Sequence, residues 1–224
     1  MAEPNPEELV GLGMLSYDKQ DFSKAKKYFE KACDLKYGWG CGALGDLYDD
    51  VEKNLIKAAQ LYTKACELKD GLGCKRLWSL YYYGRDIEKN LIKAAQYASK
   101  ACDLNNGSGC GVLGFLYGSG KGVEKNLIKA TYFYSKACDL KYGGGCGNLG
   151  VLYQKGEVVE KDLTKAAYFY SKACELKESF GCGALAVLYI NGQGVEKDLR
   201  KADQYISKAC KLGDQEACEA LKEK

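Results

Sequence analysis

The chain has no histidine, two prolines, two tryptophans and no long apolar run. The missing histidine removes the commonest general base and the commonest metal ligand. It also excludes zinc sites built on histidine. No stretch approaches the roughly 18 consecutive apolar residues that a membrane-spanning helix needs. Charge of one sign is lacking too. The net charge is +3, with 33 basic and 30 acidic residues interleaved along the chain. No nucleic-acid partner is implied by that balance. The N-terminus, Met1-Ala2-Glu3-Pro4, is polar and carries no secretory signal, as a mature N-terminus would look. The two prolines, Pro4 and Pro6, stand just before the first apolar-periodic segment, where proline is tolerated.

Cysteine, in contrast, is plentiful and evenly placed. Twelve cysteines form six pairs with a constant spacing: Cys33/Cys41, Cys66/Cys74, Cys102/Cys110, Cys138/Cys146, Cys174/Cys182 and Cys210/Cys218. From Cys66 onward the first members recur every 36 residues, and the interval from Cys33 to Cys66 is 33. A fixed period of this size marks a repeat array, in which each unit buries its apolar face against its neighbours. Six disulfides are the expected use of the cysteines. Each would close a loop of about nine residues and contribute about 2.5 kcal/mol by chain entropy. The bridged state implies an oxidising compartment, secreted or periplasmic. Buried free thiols and metal sites are the competing readings. The metal reading is the weaker, because one zinc usually needs four ligands and each turn offers two.

The periodicity predicts paired helices. Glu7 to Tyr17 reads as a first helix, and Asp21 as the N-cap of a second over Phe22–Leu35. In later units a short helix is expected after the second cysteine. A glycine-containing turn follows, such as Gly118-Ser119-Gly120-Lys121-Gly122, and then a longer second helix. Asn54, Asn90, Asn126, Asp162 and Asp198 stand where N-caps belong. The unit boundaries expected from the period are a tail at 1–6, repeats at 7–36, 37–69, 70–105, 106–141, 142–177 and 178–213, and a polar capping helix at 214–224.

The motifs Leu-Gly-x-Leu-Tyr, Gly-x-Gly-Val-Glu-Lys, Lys-Ala-x-x-Tyr-Tyr-x-Lys-Ala-Cys and the closing Gly-Cys resemble Sel1-like repeats, relatives of tetratricopeptide repeats. The seven-residue gap between paired cysteines resembles the cysteine-rich Sel1-like proteins of Helicobacter. The resemblance spans about residues 7–224. It implies an all-α fold, a right-handed α-α superhelix of helix hairpins with one disulfide per repeat, and secretion. Some members of that group are described as penicillin-binding proteins or β-lactamases. The chain departs from the pattern in the shortened turn of its second unit. Its units are also unusually uniform: Glu-Lys-Asn-Leu-Ile-Lys-Ala occurs three times unchanged. Recent duplication or consensus engineering would each produce that uniformity.

The units can be compared with one another. Numbered from the second cysteine of each pair, positions three, six and seven of the first helix hold leucine, leucine and tyrosine in units two to six. Positions two, five, eight and nine vary, and at about 100° per residue they fall in one stripe of roughly 80° to 200°. In a tetratricopeptide-like array the first helices line the concave surface, so this stripe is the candidate groove. It holds Asp46, Asp49, Ser79, Tyr82, Tyr83, Phe115, Val151, Gln154, Val187 and Ile190, with Arg76 and Trp78 beside them. Aromatic residues and arginine are the types that dominate binding hot spots. Trp78 stands where other units have glycine or alanine, so it must displace a neighbour or project into the groove; projection as an anchor is the expectation. An acidic end at Asp46, Asp49 and Asp50 would favour a cationic part of the ligand.

Catalytic patterns are weak. Ser16–Lys19 and Ser23–Lys26 have Ser-x-x-Lys spacing, a pattern that arises readily in a lysine-rich helix, and Ser-Asp-Asn and Lys-Thr-Gly are absent. The glycine-rich turns match neither a P-loop nor a dinucleotide fingerprint. No catalytic residue, metal or cofactor is assigned. The expected function is capture of a peptide, protein segment or glycan-like ligand by a monomeric, capped array. The alternatives are a β-lactam-binding or hydrolysing protein, on resemblance alone, and a consensus scaffold without a natural ligand.

Overall fold

The structure is a computed structural model describing residues 4–85, 87–158 and 160–222. The described residues form thirteen α-helices and no strand. Six are first helices: Pro6–Asp18 (α1), Gly38–Asp50 (α3), Gly71–Tyr83 (α5), Gly107–Ser119 (α7), Gly143–Lys155 (α9) and Ser179–Asn191 (α11). Six are second helices: Phe22–Asp34 (α2), Leu55–Glu67 (α4), Leu91–Asp103 (α6), Leu127–Asp139 (α8), Leu163–Glu175 (α10) and Leu199–Lys211 (α12). Gln215–Lys222 (α13) packs on α12. The last two residues of the expected capping helix, 223–224, and the polar start, 1–3, lie outside the described residues. The chain divides into two compact units, Met1–Gly109 with Lys121–Val123, and Cys110–Gly120 with Glu124–Lys224.

The expected caps are present. The side chains of Asp21, Asn54, Asn90, Asn126, Asp162 and Asp198 accept from the backbone N–H three residues on, at 2.8 to 3.1 Å. Each satisfies an N–H that the helix cannot, an effect of about 1 kcal/mol. At Asp162 the Lys165 backbone N–H holds the carboxyl below its ordinary range. The first helix differs from expectation: it includes Pro6 at its first position, and Asn5 and Glu8 form a reciprocal capping box.

Two further expectations are corrected. The first helices are as long as the second, 13 residues each. They also begin three residues before the second cysteine, not after it: Gly38 precedes Cys41, Gly71 precedes Cys74, and Ser179 precedes Cys182. The chain reverses between hairpins through one residue of left-handed backbone, Lys36, Lys69, Asn105, Lys141 or Lys177, with φ of 58 to 65°. This short reversal carries the second cysteine into the first turn of the next helix. The paired Cα atoms then lie 4.5 to 4.7 Å apart in Cys33–Cys41, Cys66–Cys74, Cys138–Cys146, Cys174–Cys182 and Cys210–Cys218. Cys102 and Cys110 are disulfide-bonded as well. No described cysteine is a free thiol or a metal ligand.

The glycine that precedes the second cysteine in the first five pairs has a packing reason. A Cβ on Gly40, Gly73, Gly145 or Gly181 would lie 2.5 to 2.6 Å from the methyl of Ala32, Ala65, Ala137 or Ala173. Those alanines are fully buried, so the two helices touch almost backbone to backbone beside the disulfide. The turn glycine Gly194, at φ +70°, lies against the backbone of Leu163; a Cβ there would meet it at 2.2 Å.

The hairpins of repeats three to six are each closed by the same stack. Tyr81 lies flat on Tyr97, Tyr117 on Phe133, Tyr153 on Phe169 and Tyr189 on Tyr205, with ring centroids 5.5 to 5.7 Å apart. Lys93, Lys129, Lys165 and Lys201 place their ammonium groups 5.1 to 5.4 Å from the first ring of each stack. The position-seven tyrosine is therefore framework, which leaves the opposite side of each first helix for other work.

Candidate functional site

The side chains singled out from the sequence fall into two groups, one in each unit. In the first unit, Arg76 on α5 reaches Asp46 on α3, with Nε 2.9 Å from Oδ1 and Nη2 3.1 Å from Oδ2. The Tyr62 hydroxyl donates to the same carboxylate at 2.8 Å. Burial, reinforced by Asp46, raises the Tyr62 phenol above its ordinary value, so it stays a donor. Arg85 pairs with Asp49 at 3.7 Å. Two of the three carboxylates expected to attract a cationic ligand, Asp46 and Asp49, are thus engaged within the chain.

Trp78 is partly buried, and its indole Nε1 is buried without an acceptor. Its ring lies 6.1 Å from that of Tyr82 and 6.5 Å from that of Tyr83, which are 5.0 Å from each other. Lys121 Nζ donates to the Tyr82 hydroxyl at 3.3 Å, and Tyr83 is largely exposed. The second helices explain the tryptophan. Gly45, Gly114 and Gly150 face Tyr62, Tyr134 and Tyr170 so closely that a Cβ would lie 2.5 to 2.7 Å from the ring. In the third repeat both partners change: Trp78 replaces the glycine and Ala98, fully buried, replaces the tyrosine. A large and a small side chain have exchanged places across the hairpin. This corrects the expectation of a freely projecting anchor. Ser79 is partly buried beside it.

In the second unit, Phe115 on α7 and Val187 and Ile190 on α11 are 42%, 49% and 39% exposed. Val151 on α9 is partly buried and packs against the cluster of Ala166, Ala167 and Tyr170. Gln154 accepts from the Tyr170 hydroxyl at 2.6 Å. Val187 and Ile190 are therefore available at the surface, Phe115 is exposed, Val151 is half core, and Gln154 is engaged by the framework. The helices carrying them are almost without charge: α7 and α11 have none, and α9 has Lys155, near Glu157 at 3.7 Å.

Sequence reasoning missed Trp39 and Leu72, which are 46% and 51% exposed and line a shallow pocket with Ala43, Asp46, Tyr62 and Arg76. Both stand two residues before the second cysteine. That position varies among the repeats, but it lies ahead of the cysteine after which the sequence predicts the helix to begin. A cleft is bounded by Tyr153, Glu160, Asp162 and Lys165. An equivalent cleft recurs at Tyr189, Glu196, Asp198 and Lys201, so the repeat itself builds it.

One member of each Ser-x-x-Lys pair is committed elsewhere. Ser16 is buried and donates to the Leu12 carbonyl at 2.9 Å. Lys26 donates to Glu52 at 2.7 Å and lies 4.5 Å from the Tyr48 ring centroid. The bond to Glu52, with Tyr48, raises its pKa above the ordinary lysine value, which opposes service as a base. Among the described residues no group of three metal-ligating side chains assembles, and no helix is long and apolar enough to cross a membrane.

Helix hairpins repeated at this period and joined to one another by disulfides define a helical repeat scaffold. The chain belongs to the Sel1 repeat family: residues 10–37, 40–70, 71–106, 109–142, 145–178 and 179–214 each match the Sel1 repeat. It is 66% identical over 58 residues to HcpC of Helicobacter pylori strain J99, 25% of this chain and 20% of that protein. It is 58% identical over 50 residues to a protein of the same strain named Beta-lactamase HcpA, 22% of this chain and 20% of that one. The matches thus span about a fifth of the length of these relatives. Among solved structures, a Sel1 repeat protein from Oxalobacter formigenes superimposes with a TM-score of 0.85 at 26% identity, covering 95% of this chain and 86% of that one.

Proposed function

We propose that this Sel1-repeat scaffold captures an extended, uncharged peptide or protein segment on the face that its first helices leave uncovered in the second unit. The observation that carries the reading is the exposure of Phe115, Val187 and Ile190 on helices almost free of charge. Apolar side chains standing on the same face as variable positions are what a partner surface needs. A charged segment would lose hydration there without finding a counter-charge. The pairing of every cysteine, together with the likeness to HcpC and HcpA, supports a secreted or periplasmic site of action.

The test is selection of random peptides displayed on phage against the oxidised protein. Selected peptides are then synthesised and titrated into wild type and Val187→Lys, whose exposed position tolerates the change. Peptides that bind wild type and lose at least tenfold in affinity for the variant support the reading. Peptides indifferent to the variant oppose it.

The β-lactam reading rests on the name of a relative matched over about a fifth of the chain. A chromogenic β-lactam tests it directly. No turnover above a heat-denatured control is the expected result.

A further inference from the structure

The repeats differ in what their buried tyrosine does with its hydroxyl. In the second repeat Tyr62 donates to Asp46, and in the fifth Tyr170 donates to Gln154. Each acceptor stands sixteen residues before its tyrosine on the facing first helix. In the fourth repeat the tyrosine is Tyr134, and the residue sixteen before it is Gly118, which has no side chain to accept. Tyr134 is only 7% exposed, yet its hydroxyl has no hydrogen-bond partner among the described residues. Burial pushes its phenol up to about 12, so the group is a neutral donor at any ordinary pH.

The space beside the hydroxyl admits a methyl at ordinary contact distance. A Cβ built on Gly118 would meet only the Ala130 methyl at 3.7 Å and the Tyr134 oxygen at 3.9 Å. At Gly114, one turn earlier, a Cβ would strike the Tyr134 ring at 2.7 Å. The ring is therefore gripped while its hydroxyl faces a notch. Phe115 stands on the same helix, largely at the surface. The Tyr134 ring is buried, but its hydroxyl oxygen reaches solvent. A donor accessible at a position where two sister repeats supply an acceptor is open to an acceptor from outside the chain.

We propose that the Tyr134 hydroxyl and the gap at Gly118 form a carbonyl-reading notch, in which a backbone carbonyl of a bound, uncharged peptide segment takes the place that Gln154 Oε1 occupies beside Tyr170. The inference rests on the peptide-binding reading above and adds the atom that fixes the peptide's register. Commitment to a backbone carbonyl follows from the charge of the surroundings. The second repeat uses a carboxylate as acceptor and brings Arg76 to neutralise it, whereas α7, α9 and α11 carry no such cation except Lys155 beside Glu157. An incoming carboxylate would be left without a partner.

Two substitutions separate the notch from the fold. Tyr134→Phe keeps the ring over Gly114 and removes only the donor. Gly118→Gln recreates the fifth repeat, supplying an internal acceptor and filling the notch, at a helical position with room for a side chain. Selected synthetic peptides are titrated by calorimetry into wild type, both variants and Val187→Lys, with thermal denaturation of each protein alongside. The expected result is a loss of affinity of about three- to tenfold in Tyr134→Phe, the worth of one hydrogen bond. In Gly118→Gln a loss of at least about tenfold is expected, with thermal stability equal to wild type or higher. Peptides that depend on Val187 but bind Tyr134→Phe and Gly118→Gln like wild type overturn the notch and leave the groove reading standing. Selection of peptides whose binding requires Asp or Glu overturns the carbonyl assignment. Peptides indifferent to Val187→Lys, or no selected peptide at all, overturn both.

Discussion

The same substitution, glycine to alanine in a helix, is expected to change stability in opposite directions at Gly150 and Gly118. Helix propensity favours alanine by about 1 kcal/mol at either place. At Gly118 the added methyl lies 3.7 Å from Ala130 and 3.9 Å from the Tyr134 oxygen, ordinary contact distances. The propensity term then stands almost alone, and Gly118→Ala should stabilise by about 0.5 to 1 kcal/mol. At Gly150 the methyl would lie 2.5 Å from Tyr170 Cε1 and 2.6 Å from Cδ1. Tyr170 is 1% exposed and cannot yield by swinging into solvent. Overpacking of this kind costs about 1 to 3 kcal/mol. Displacing the ring also breaks its 2.6 Å bond to Gln154, worth about 1 kcal/mol more. Gly150→Ala should therefore destabilise by about 1 to 3 kcal/mol, and the two variants should differ by about 2 to 4 kcal/mol. Urea denaturation followed by circular dichroism, under oxidising conditions, measures both. A companion pair tests the exchange seen at Trp78 and Ala98: Gly150→Trp alone should be severely destabilised, and adding Tyr170→Ala should restore most of the loss. If Gly150→Ala proves as stable as Gly118→Ala, or Tyr170→Ala fails to rescue Gly150→Trp, the size-exchange argument is wrong.

Trp78→Phe removes a buried N–H that has no acceptor, so relief of that donor offsets the lost ring volume; stability should stay within about 1 kcal/mol of wild type in thermal denaturation, where a larger loss would mean the indole has an unseen role. Replacing Cys174 and Cys182 together by alanine opens a loop of sequence separation 8 and should cost about 2.5 kcal/mol in urea denaturation; an unchanged midpoint would contradict the loop-closure account. Burial pushes Tyr134 and Tyr170 up to about 12. Unfolded tyrosines release their protons near pH 10 while these two hold theirs, so the unfolded state binds fewer protons between about pH 10 and 12 and stability falls across that window. Absorbance titration of the phenolates should separate a late class of tyrosines from the rest, and a single transition near pH 10 would refute the assignment.

How far the sequence could be read depended on whether the deciding interaction is local. The six caps were legible because each lies three residues from the N–H it satisfies. The disulfides were legible because their spacing repeats without exception. The framework leucines and tyrosines were legible because the units serve as each other's controls. The helix starts were not. The reversal between hairpins uses lysine or asparagine in left-handed backbone, where glycine is the usual signal, so the chain enters the next helix sooner than the residues suggest. That shift hid Trp39 and Leu72. The engagement of Asp46 was hidden for a different reason: its partner Arg76 stands thirty residues away, on the next first helix. The size exchange at Trp78 needed both helices of a hairpin to be compared, and the groove reading compared only the first helices. Tyr134 escaped notice because an open hydroxyl is a property of what Gly118 lacks.

The claim that the uncovered face of the second unit captures an uncharged peptide segment is tested most directly by calorimetric titration of selected peptides into wild type and Val187→Lys. The two proteins should share the same thermal midpoint, because Val187 is 49% exposed and outside the core. The account predicts saturable binding to wild type that weakens at least tenfold in the variant. Equal affinity for both proteins would contradict it and move the binding site to another surface of the scaffold.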